Sequence, residues 1–498
     1  MSVTTSIHEA TAADVSKAVQ KAHEAFALYK ATSPAQRVVF LKKIAEEINA
    51  IGDSLIAITQ QETKLPEARL KGERTRTTNQ IQLFAQLVQE GSWVRAIIDT
   101  GNPDRQPLPK PDIRQMQMPL GVVGVFGASN FPYAFSVAGG DTIAALAAGC
   151  PVVYKAHPGH PATSDLVAQA ILKAAKDTGM PDGVFSMVQG GIEVGQSLVN
   201  HPLVKAIAFT GSFRGGKALY DTAAKREEPI PVYAEMGSVN PVFVLPGILK
   251  QKGKAVAESL ATSNRLGAGQ FCTNPGIVVL EQSAEADAFL DVYAASHKAA
   301  AGEPMLTETI YNQYNQSLQK LNMMADLKMI ACGVKGDGAA LAVPHTFVVD
   351  GKTFLQQPHL QEEVFGPASI HVLADSREQV LEIARALQGQ LTASVWGADT
   401  DWEAFASLLT VLQEKAGRVI INGVPTGVEV GHAMVHGGPY PATTDSKTTS
   451  VGSQAIYRFT RPVCFQDFPA ALLPAELKNE NTGGILRMVN GVYTRENV

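Results

Sequence analysis

One cysteine, Cys272, lies where a reactive thiol could be reached by a substrate. It belongs to the run Gly-Ala-Gly-Gln-Phe-Cys-Thr-Asn-Pro-Gly at 267–276, which leads into the apolar residues 277–280. Small residues leave room around the thiol and leave backbone N–H groups free, as a nucleophile that must stabilise an oxyanion requires. A buried structural cysteine is the alternative, because free cysteine is among the residues most often buried.

Two polar residues stand at the ends of predicted strands. Asn130 follows the strand 122–126 in Gly-Ala-Ser-Asn-Phe-Pro, and Glu235 closes a strand in Val-Tyr-Ala-Glu-Met-Gly. Open α/β sheets bind their ligands at the carboxyl ends of strands. An amide there can donate to an oxyanion, and a carboxylate on an apolar strand is a candidate general base. A turn-forming asparagine and a salt-bridged glutamate are the alternatives.

Two more strand ends carry groups suited to a ribose or a phosphate. Lys155 ends the strand in Val-Val-Tyr-Lys, and Gly211 and Ser212 follow a strand and open a helix in Phe-Thr-Gly-Ser-Phe-Arg-Gly-Gly. A glycine turn at a helix N-terminus offers N–H groups and a favourable dipole to a phosphate. A solvated lysine and a simple serine cap are the alternatives.

The histidines do not predict a metal site. His157 and His160 are flanked by prolines, which keep them off a helix. His432 and His436 are four apart, but the glycines around them give no HExxH helix and no carboxylate stands between them. We therefore expect no metal.

The order of elements predicts an α/β fold. Helices are predicted from Thr11, from Ser33-Pro34 and from Glu67. After Leu120, strands at 122–126, 152–154, 184–188, 206–210 and 242–245 alternate with helices near 136–149, 162–178, 192–200 and 214–226. Such alternation is typical of a doubly wound parallel sheet. A second alternating block, from about 255 to 422, predicts a second α/β domain.

Composition excludes several classes of partner and compartment. The net charge of −5 carries no basic cluster, so nucleic acid is not expected as a partner. Prolines and glycines interrupt the uncharged stretch 115–140, which predicts a buried segment and no membrane span. Four scattered cysteines without a CxxC pair suit a reducing compartment, and no secretory signal is visible. We expect a cytoplasmic protein.

In this order the motifs resemble those of the aldehyde dehydrogenase superfamily over nearly the whole chain. The set is completed by Gln-Phe-Cys at 270–272 and by Glu-Glu-Val-Phe-Gly-Pro at 362–367, which is similar to the family's cofactor-ribose motif. The resemblance implies that fold, with two doubly wound parallel-sheet domains and a small oligomerisation hairpin or arm. It also implies a catalytic set of nucleophile, oxyanion donor and general base at Cys272, Asn130 and Glu235.

The resemblance also assigns a cofactor site, for NADP, NAD or both. Its residues hold the riboses, the pyrophosphate and the nicotinamide side: Lys155, Gly211, Ser212, Gly237, Glu363 and Phe365. Many NAD-preferring members carry a glutamate three residues after the lysine, whereas Pro158 stands here. Without that carboxylate a 2′-phosphate is not repelled and Lys155 can attract it, so NADP is favoured.

Within the family, the chain most resembles the ketoglutarate-semialdehyde (2,5-dioxovalerate) dehydrogenases. Three stretches carry this resemblance, at 127–136, 267–276 and 422–443. It implies oxidation of 2-oxoglutarate semialdehyde to 2-oxoglutarate in pentose, sugar-acid or hydroxyproline breakdown. Arg265 is the candidate cation for the distal carboxylate, with an arginine paired at a helix end as the alternative.

Other activities remain open at this point. The chain could be an NADP-dependent dehydrogenase of fatty or other semialdehydes. It could be an acylating dehydrogenase that releases product to coenzyme A, although Glu235 disfavours this because such enzymes need no water-activating base. A non-catalytic structural relative is the third alternative, disfavoured by the joint presence of Asn130, Glu235 and Cys272.

The resemblance also predicts how the chain is divided. We expect a cofactor-binding domain at 1–103 and 120–234, a catalytic domain at 235–435, and oligomerisation and C-terminal segments at 104–119 and 436–498. Family members exchange strands through such segments, so a homodimer or homotetramer is expected.

Overall fold

Four helices begin the part of the chain described by the computed structural model, residues 9–498. They are α1 Ala12–Lys30, α2 Pro34–Ile51, α3 Asp53–Thr63 and α4 Glu67–Glu90. Thr11 and Ser33 each form a capping box with the third residue of the helix that follows, which confirms the predicted starts. Helix α3 was not predicted. It begins directly after Gly52, whose φ of 70° lets the chain turn between two helices without a loop.

A five-stranded sheet follows these helices. Its strands are β3 Val122–Phe126, β4 Val152–Lys155, β5 Phe185–Val188, β6 Val204–Thr210 and β7 Val232–Glu235. They are ordered β5-β4-β3-β6-β7, and all neighbours are parallel. The intervening helices are α5 Gly140–Ala148, α6 Pro161–Asp177, α7 Ile192–Asn200 and α8 Phe213–Ala224. This is the doubly wound order that the alternation predicted, and its direction reverses at β3. The strand predicted at 242–245 in the same block belongs to the second sheet instead.

The second α/β unit is a seven-stranded sheet ordered β11-β13-β14-β9-β8-β15-β16. Its strands are β8 Val242–Val244, β9 Ile277–Glu281, β11 Lys328–Cys332, β13 His345–Asp350, β14 Ala368–Ala374, β15 Gln390–Trp396 and β16 Ala416–Ile421. Its helices are α9 Pro246–Arg265, α10 Ala284–Lys298, α11 Glu308–Asn322, α12 Gly351–Gln356, α13 Arg377–Ala386 and α14 Ala406–Lys415. Only the edge pair of β11 and β13 is antiparallel within this sheet. Short strands β10 Glu303–Pro304 and β12 Leu341–Ala342 form a separate ladder.

A third sheet joins distant parts of the chain. It is ordered β17-β2-β1-β18-β19, with β1 Ile97–Asp99, β2 Ile113–Pro119, β17 Thr460–Gln466, β18 Arg487–Val489 and β19 Val492–Thr494. The two segments predicted as oligomerisation arms therefore pair with each other, since β17 lies antiparallel to β2. Strand β1 also belongs to this third sheet, although we predicted that residues 1–103 lie in the cofactor-binding domain.

The core explains the uncharged stretch near residue 140. Strand β3 is buried along its whole length and residues 132–140 are buried as well, so this segment needs uncharged residues. Across residues 9–498, no helix is both long and apolar enough to cross a membrane.

Candidate active site

The carboxyl ends of four parallel strands meet at one edge of the five-stranded sheet. Phe126, before Asn130, is paired with Lys155, and Thr210, before Gly211, is paired with Glu235. Three predicted site residues are therefore brought to this edge because their strands run in the same direction.

The turn that carries Cys272 adopts a backbone that few residues tolerate. Gly267, Ala268 and Gly269 have φ angles of 56°, 56° and 66°, in the left-handed region. A Cβ on Gly269 would also lie 2.3 Å from the carbonyl carbon of Gly366. The small residues recognised in the sequence are thus required by conformation and by space.

Asn240 fixes this turn from the other side, a role that the sequence did not reveal. Its side-chain amide donates to the carbonyls of Cys272 and Asn274, at 2.9 Å each. Asn240 is fully buried and has a φ of 46°. A buried amide that satisfies two loop carbonyls holds the nucleophile in one position.

Asn130 lies beside the same turn. Its Nδ2 donates to the carbonyl of Gln270 at 3.0 Å, and the side chain is buried. A side-chain amide has two N–H groups, so one remains for another acceptor. Asn130 is thereby oriented next to the nucleophile, as an oxyanion donor needs to be.

Glu235 is buried at the end of β7, with 1% of its surface exposed. Its Oε2 accepts a hydrogen bond from the hydroxyl of Ser450 at 2.5 Å. Its Oε1 has no well-aligned hydrogen-bond partner. A buried carboxylate whose second oxygen makes no well-aligned hydrogen bond can accept a proton from a group beside it.

His436 connects Glu235 to Cys272. Its Nε2 lies 3.4 Å from the Cys272 sulfur and 2.9 Å from Glu235 Oε1. From the sequence, this histidine was weighed only as a metal ligand paired with His432. The predicted catalytic domain ended at residue 435, just before it. The structure brings it into the centre of the site.

The three ligand-type atoms of Glu235, Cys272 and His436 lie within 4.8 Å of one another. The geometry would permit a metal ion, although the sequence predicts none. The same atoms form a set through which a proton can pass between thiol, imidazole and carboxylate.

The surroundings shift the pKa values of Cys272 and Glu235 in opposite directions. Burial raises the pKa of Cys272 well above its ordinary value, and the charges of Glu235 and Glu363 raise it further against the opposing charge of Arg76. Burial also acts to raise the pKa of Glu235, but His436 and Ser450 outweigh it, so that this pKa is lowered. The resting site therefore holds a neutral thiol beside an ionised carboxylate.

The turn after β6 lies open to solvent at the start of α8. Gly211, Ser212, Phe213 and Arg214 are exposed, and Ser212 caps the helix by accepting a hydrogen bond from the N–H of Gly215 at 3.2 Å. A Cβ on Gly211 would lie 2.6 Å from the Phe209 ring, so a larger residue would not fit in this turn. An open helix N-terminus after a glycine is suited to a phosphate.

Glu363 reaches the same edge of the sheet from the loop before β14. Its Oε2 occupies the space that a Cβ on Gly237 would need, at 2.3 Å, which explains why residue 237 is glycine. Burial raises the pKa of Glu363 to about 7, although the N–H of Ser238 stabilises the carboxylate. Phe365, two residues further on, is partly buried.

Comparison with known proteins identifies the family. The model of the aldehyde dehydrogenase family matches residues 1–460. An alpha-ketoglutaric semialdehyde dehydrogenase of Acinetobacter baylyi is 48% identical over 488 residues, which cover 98% of this chain and 93% of that protein. The chain belongs to the aldehyde dehydrogenase family. A second relative, alpha-ketoglutaric semialdehyde dehydrogenase 2 of Azospirillum brasilense, is also 48% identical and covers 97% and 92%.

Solved structures of this family have the same fold. An NAD-dependent aldehyde dehydrogenase of Sinorhizobium meliloti superposes with a TM-score of 0.76 at 24% identity, over 92% of this chain and 87% of that one. Gamma-glutamyl-gamma-aminobutyraldehyde dehydrogenase of Burkholderia cenocepacia gives a TM-score of 0.78 at 22% identity, over 92% and 89%. The predicted fold class is confirmed.

Aldehyde dehydrogenases use NAD(P), and the residues of this chain fit such a cofactor. The glycine turn before α8 is open for a pyrophosphate, while Lys155 is half-buried and Pro158 is exposed. Burial lowers the pKa of Lys155 and the charge of Glu9 opposes that change. Lys155 forms no ion pair shorter than 4.0 Å with any described side chain. Its ammonium group therefore stays available to an anionic ligand.

Arg265, the predicted substrate cation, does not join the site. Its Nε donates to the carbonyl of Ala261 at 3.2 Å and its Nη2 to the hydroxyl of Ser296 at 3.1 Å. Both partners belong to the packed helices α9 and α10, so the guanidinium is held at a helix end, which was the alternative interpretation. The charges that act on the Cys272 thiol include Arg76 instead.

Proposed function

We propose that this aldehyde dehydrogenase oxidises 2-oxoglutarate semialdehyde (2,5-dioxopentanoate) to 2-oxoglutarate, and that it serves the breakdown of pentoses, sugar acids or hydroxyproline. The main support is the 48% identity to two alpha-ketoglutaric semialdehyde dehydrogenases over nearly the full chain. The site residues support the general chemistry, because a thiol, an amide donor and a buried carboxylate lie together as aldehyde oxidation requires.

The first step in this proposal is activation of the thiol. With a raised pKa, Cys272 is a poor nucleophile unless a base removes its proton. His436 Nε2, 3.4 Å away, is the base in contact with the sulfur. Transfer of the proton gives a thiolate beside an imidazolium, and the Glu235 carboxylate at 2.9 Å stabilises that cation.

The second step is addition of the thiolate to the aldehyde carbon. A C–S bond forms, and the carbonyl oxygen takes up the negative charge of a thiohemiacetal. The free N–H of Asn130 is the donor for that oxygen, since the other is bonded to Gln270. The nicotinamide cofactor, when bound, accepts the hydride that leaves the thiohemiacetal carbon. Cys272 then carries the acyl group as a thioester.

The last step is hydrolysis. Oε1 of Glu235 makes no well-aligned hydrogen bond and lies 2.9 Å from Nε2 of His436, on the side of Cys272. A water next to it would lose a proton to Glu235 as it attacks the thioester. The C–S bond then breaks, the acid leaves, and the Cys272 thiolate takes back the proton held by His436. This favours hydrolysis over transfer to coenzyme A, which needs no such base.

NADP is the cofactor that we propose, alone or together with NAD. Support comes from Pro158, which brings no carboxylate to the position where NAD-preferring members carry glutamate. The half-buried Lys155 is a positive charge at the same strand end. Lys155, Gly211, Ser212, Gly237, Glu363 and Phe365 are the residues proposed to hold this cofactor.

The domain roles, assembly and location of the enzyme are part of the same proposal. We assign cofactor binding to the five-stranded sheet and the chemistry to the seven-stranded sheet, with His436 and Ser450 added from the C-terminal region. A homodimer or homotetramer formed through the third sheet remains our prediction. Four free cysteines support a reducing cytoplasmic location.

A substrate panel tests this function. We would compare 2-oxoglutarate semialdehyde, succinate semialdehyde and a long-chain aldehyde, each with NAD and NADP and with or without coenzyme A. We expect the highest kcat/KM for 2-oxoglutarate semialdehyde with NADP, and no dependence on coenzyme A. A higher value for the long-chain aldehyde, or release of an acyl-coenzyme A, would contradict the proposal. Cys272→Ala is the inactive control.

A further inference from the structure

Two arginines lie on the same side of helix α4, next to the catalytic turn. Arg69 and Arg76 are seven residues apart, which places their side chains about two turns, or roughly 10 Å, apart along one face of the helix. Arg69 lies over the rings of Phe131 and Phe271, at 5.0 and 4.9 Å from their centres. Arg76 lies over the ring of Phe135 at 5.3 Å.

The guanidinium groups of Arg69 and Arg76 differ in the length of the hydrogen bonds that they donate. Arg69 donates through Nη2 to the backbone carbonyl of Asn130 at 2.6 Å, so it supports the loop of the oxyanion donor, although its Nη1 is also buried without a partner among the described residues. Arg76 makes only a long contact of 3.3 Å, from Nη2 to the carbonyl of Val428. The Nη1 of Arg76 is buried and has no hydrogen-bond partner among the described residues. A buried donor without a partner is costly unless a ligand satisfies it.

The charge of Arg76 is also weakly compensated. It forms no ion pair shorter than 4.0 Å with a described residue. The carboxylate of Glu73, one turn earlier on α4, binds the backbone N–H groups of Tyr133 and Ala134 through Oε1 instead. Burial raises the pKa of Glu73, which weakens it as a counter-charge. Two other carboxylates act on Arg76: Glu429 is exposed, and Glu235 is already bonded by Ser450 and lies beside His436.

The surroundings of Arg76 and the catalytic turn are rich in aromatic rings. Phe131 contacts Phe135 and Phe271 with ring centres 5.4 Å apart in each pair. Arg76 is nonetheless near enough to Cys272 and Glu235 for their charges to act on each other. An aromatic wall suits methylene groups, and a guanidinium with a free donor suits a carboxylate.

We propose that the guanidinium of Arg76 binds the carboxylate of the substrate at the end opposite the aldehyde. The ligand class is a short carboxylic acid with an aldehyde at its other end. In extended 2-oxoglutarate semialdehyde, four C–C bonds place the aldehyde carbon about 5 Å from the carboxylate carbon. The inference rests on the function proposed above and adds the residue that selects for it. A long-chain aldehyde has no group for this donor and would leave it unpaired.

A third arginine, Arg418, does not have the same freedom. Its charge also interacts with that of Cys272. Its Nη1 and Nη2, however, donate to the carbonyls of Gly427 and Pro425 at 3.0 and 2.7 Å. These bonds fix the loop after β16 and use both ends of the guanidinium fork, whereas Arg76 makes only its one long hydrogen bond.

Steady-state kinetics with two matched aldehydes test the proposal. The substrates are 2-oxoglutarate semialdehyde and pentanal, which has five carbons and no carboxylate. For Arg76→Met we expect the KM of the semialdehyde to rise about 10- to 100-fold, the usual worth of a hydrogen bond to a charged group. The KM of pentanal should change less than about threefold, and Arg76→Lys should give an intermediate value for the semialdehyde. Arg74→Met is the control on the same helix, because Arg74 binds the carbonyl of Gly52 at 2.8 Å.

The outcomes separate this inference from the proposed function. If Arg76→Met raises the KM of both aldehydes by the same factor, Arg76 does not bind the carboxylate. If the wild-type enzyme itself shows no preference for the semialdehyde over pentanal, the proposed substrate is wrong, whatever the variants do.

A binding measurement covers the case in which Arg76→Met does not fold. Alkylation of Cys272 by iodoacetamide would be measured in wild type and Arg76→Lys at increasing concentrations of 2-oxoglutarate, the product. Protection should need at least about fivefold more 2-oxoglutarate in Arg76→Lys, because a lysine cannot reproduce the guanidinium fork. Equal protection of the two proteins would overturn the assignment.

Discussion

The imidazole of His436 lies between the nucleophile and the base, with its Nε2 3.4 Å from the sulfur of Cys272. The same nitrogen is 2.9 Å from Oε1 of Glu235. A single Nε2 proton cannot serve both neighbours at once, so its position depends on the stage of the reaction. This relationship couples the activation of the thiol to the charge of the carboxylate.

His436→Gln should slow the first chemical step. The raised pKa of Cys272 leaves the thiol protonated at neutral pH, and glutamine cannot take its proton. We expect the pre-steady-state formation of reduced cofactor to fall about 10²-fold at pH 7, the low end of general-base contributions. The deficit should shrink as the pH rises, because hydroxide then ionises the thiol directly. Stopped-flow absorbance across pH checks this, and an unchanged burst rate at pH 7 would contradict it.

Glu235→Gln should separate acylation from hydrolysis. Glutamine keeps the shape of the side chain but cannot accept a proton from water. We expect a burst of reduced cofactor that approaches one equivalent per site, followed by turnover about 10²-fold slower. Rapid-mixing absorbance measures both phases, and mass spectrometry should detect the acylated Cys272. Steady-state turnover equal to that of wild type would remove Glu235 from the mechanism.

Ser450→Ala should move the acidic limb of the pH profile. The Ser450 hydroxyl donates to Glu235 and is one cause of its lowered pKa. Glu235 acts as a base only when ionised, so hydrolysis is present above its pKa and is lost as the pH falls through it. Without the donor the pKa rises and the limb shifts to higher pH. The pH dependence of kcat measures this, with Ser450→Thr, which retains the hydroxyl, as control. Identical limbs in wild type and Ser450→Ala would exclude the role.

The residues at the strand ends could be predicted, because parallel strands place their carboxyl ends at one edge. Asn130, Lys155 and Glu235 follow from that rule, and the Cys272 turn from its small residues. His436 could not be found in this way, since it comes from an irregular segment 164 residues after Cys272. A histidine in a glycine-rich stretch without periodicity was the only signal.

Arg76 and Arg265 show a second limit of the sequence. Proximity along the chain favoured Arg265, seven residues before Cys272, but the helix end directs its side chain to Ser296. Arg76 lies in a helix with many charged residues, whose polar face looks solvated. The interaction of its charge with the thiol depends on how α4 packs against the loop after β3, which periodicity does not specify.

Pro158→Glu should shift the cofactor preference towards NAD. A carboxylate three residues after Lys155 would repel a 2′-phosphate and could bind the hydroxyl groups of the adenosine ribose. We expect the ratio of kcat/KM for NADP to that for NAD to fall about tenfold or more, equal to about 1.4 kcal/mol. Pro158→Gln, which has the same length without the charge, is the control. The prediction fails if both variants change the ratio equally.

Glu363 should make cofactor binding depend on pH near neutrality. Its carboxyl group has a pKa raised to about 7, chiefly by burial, with the Glu235 charge adding to it. The ionised form accepts hydrogen bonds from ribose hydroxyl groups through both oxygens and more strongly than the neutral acid, and this form is lost as the pH falls below 7. We therefore expect the Kd of the oxidised cofactor to rise between pH 8 and pH 6 in the wild type. In Glu363→Gln the Kd should be higher throughout and nearly constant over that range, as measured by isothermal titration calorimetry. A variant with the pH dependence of the wild type would assign the effect to another group.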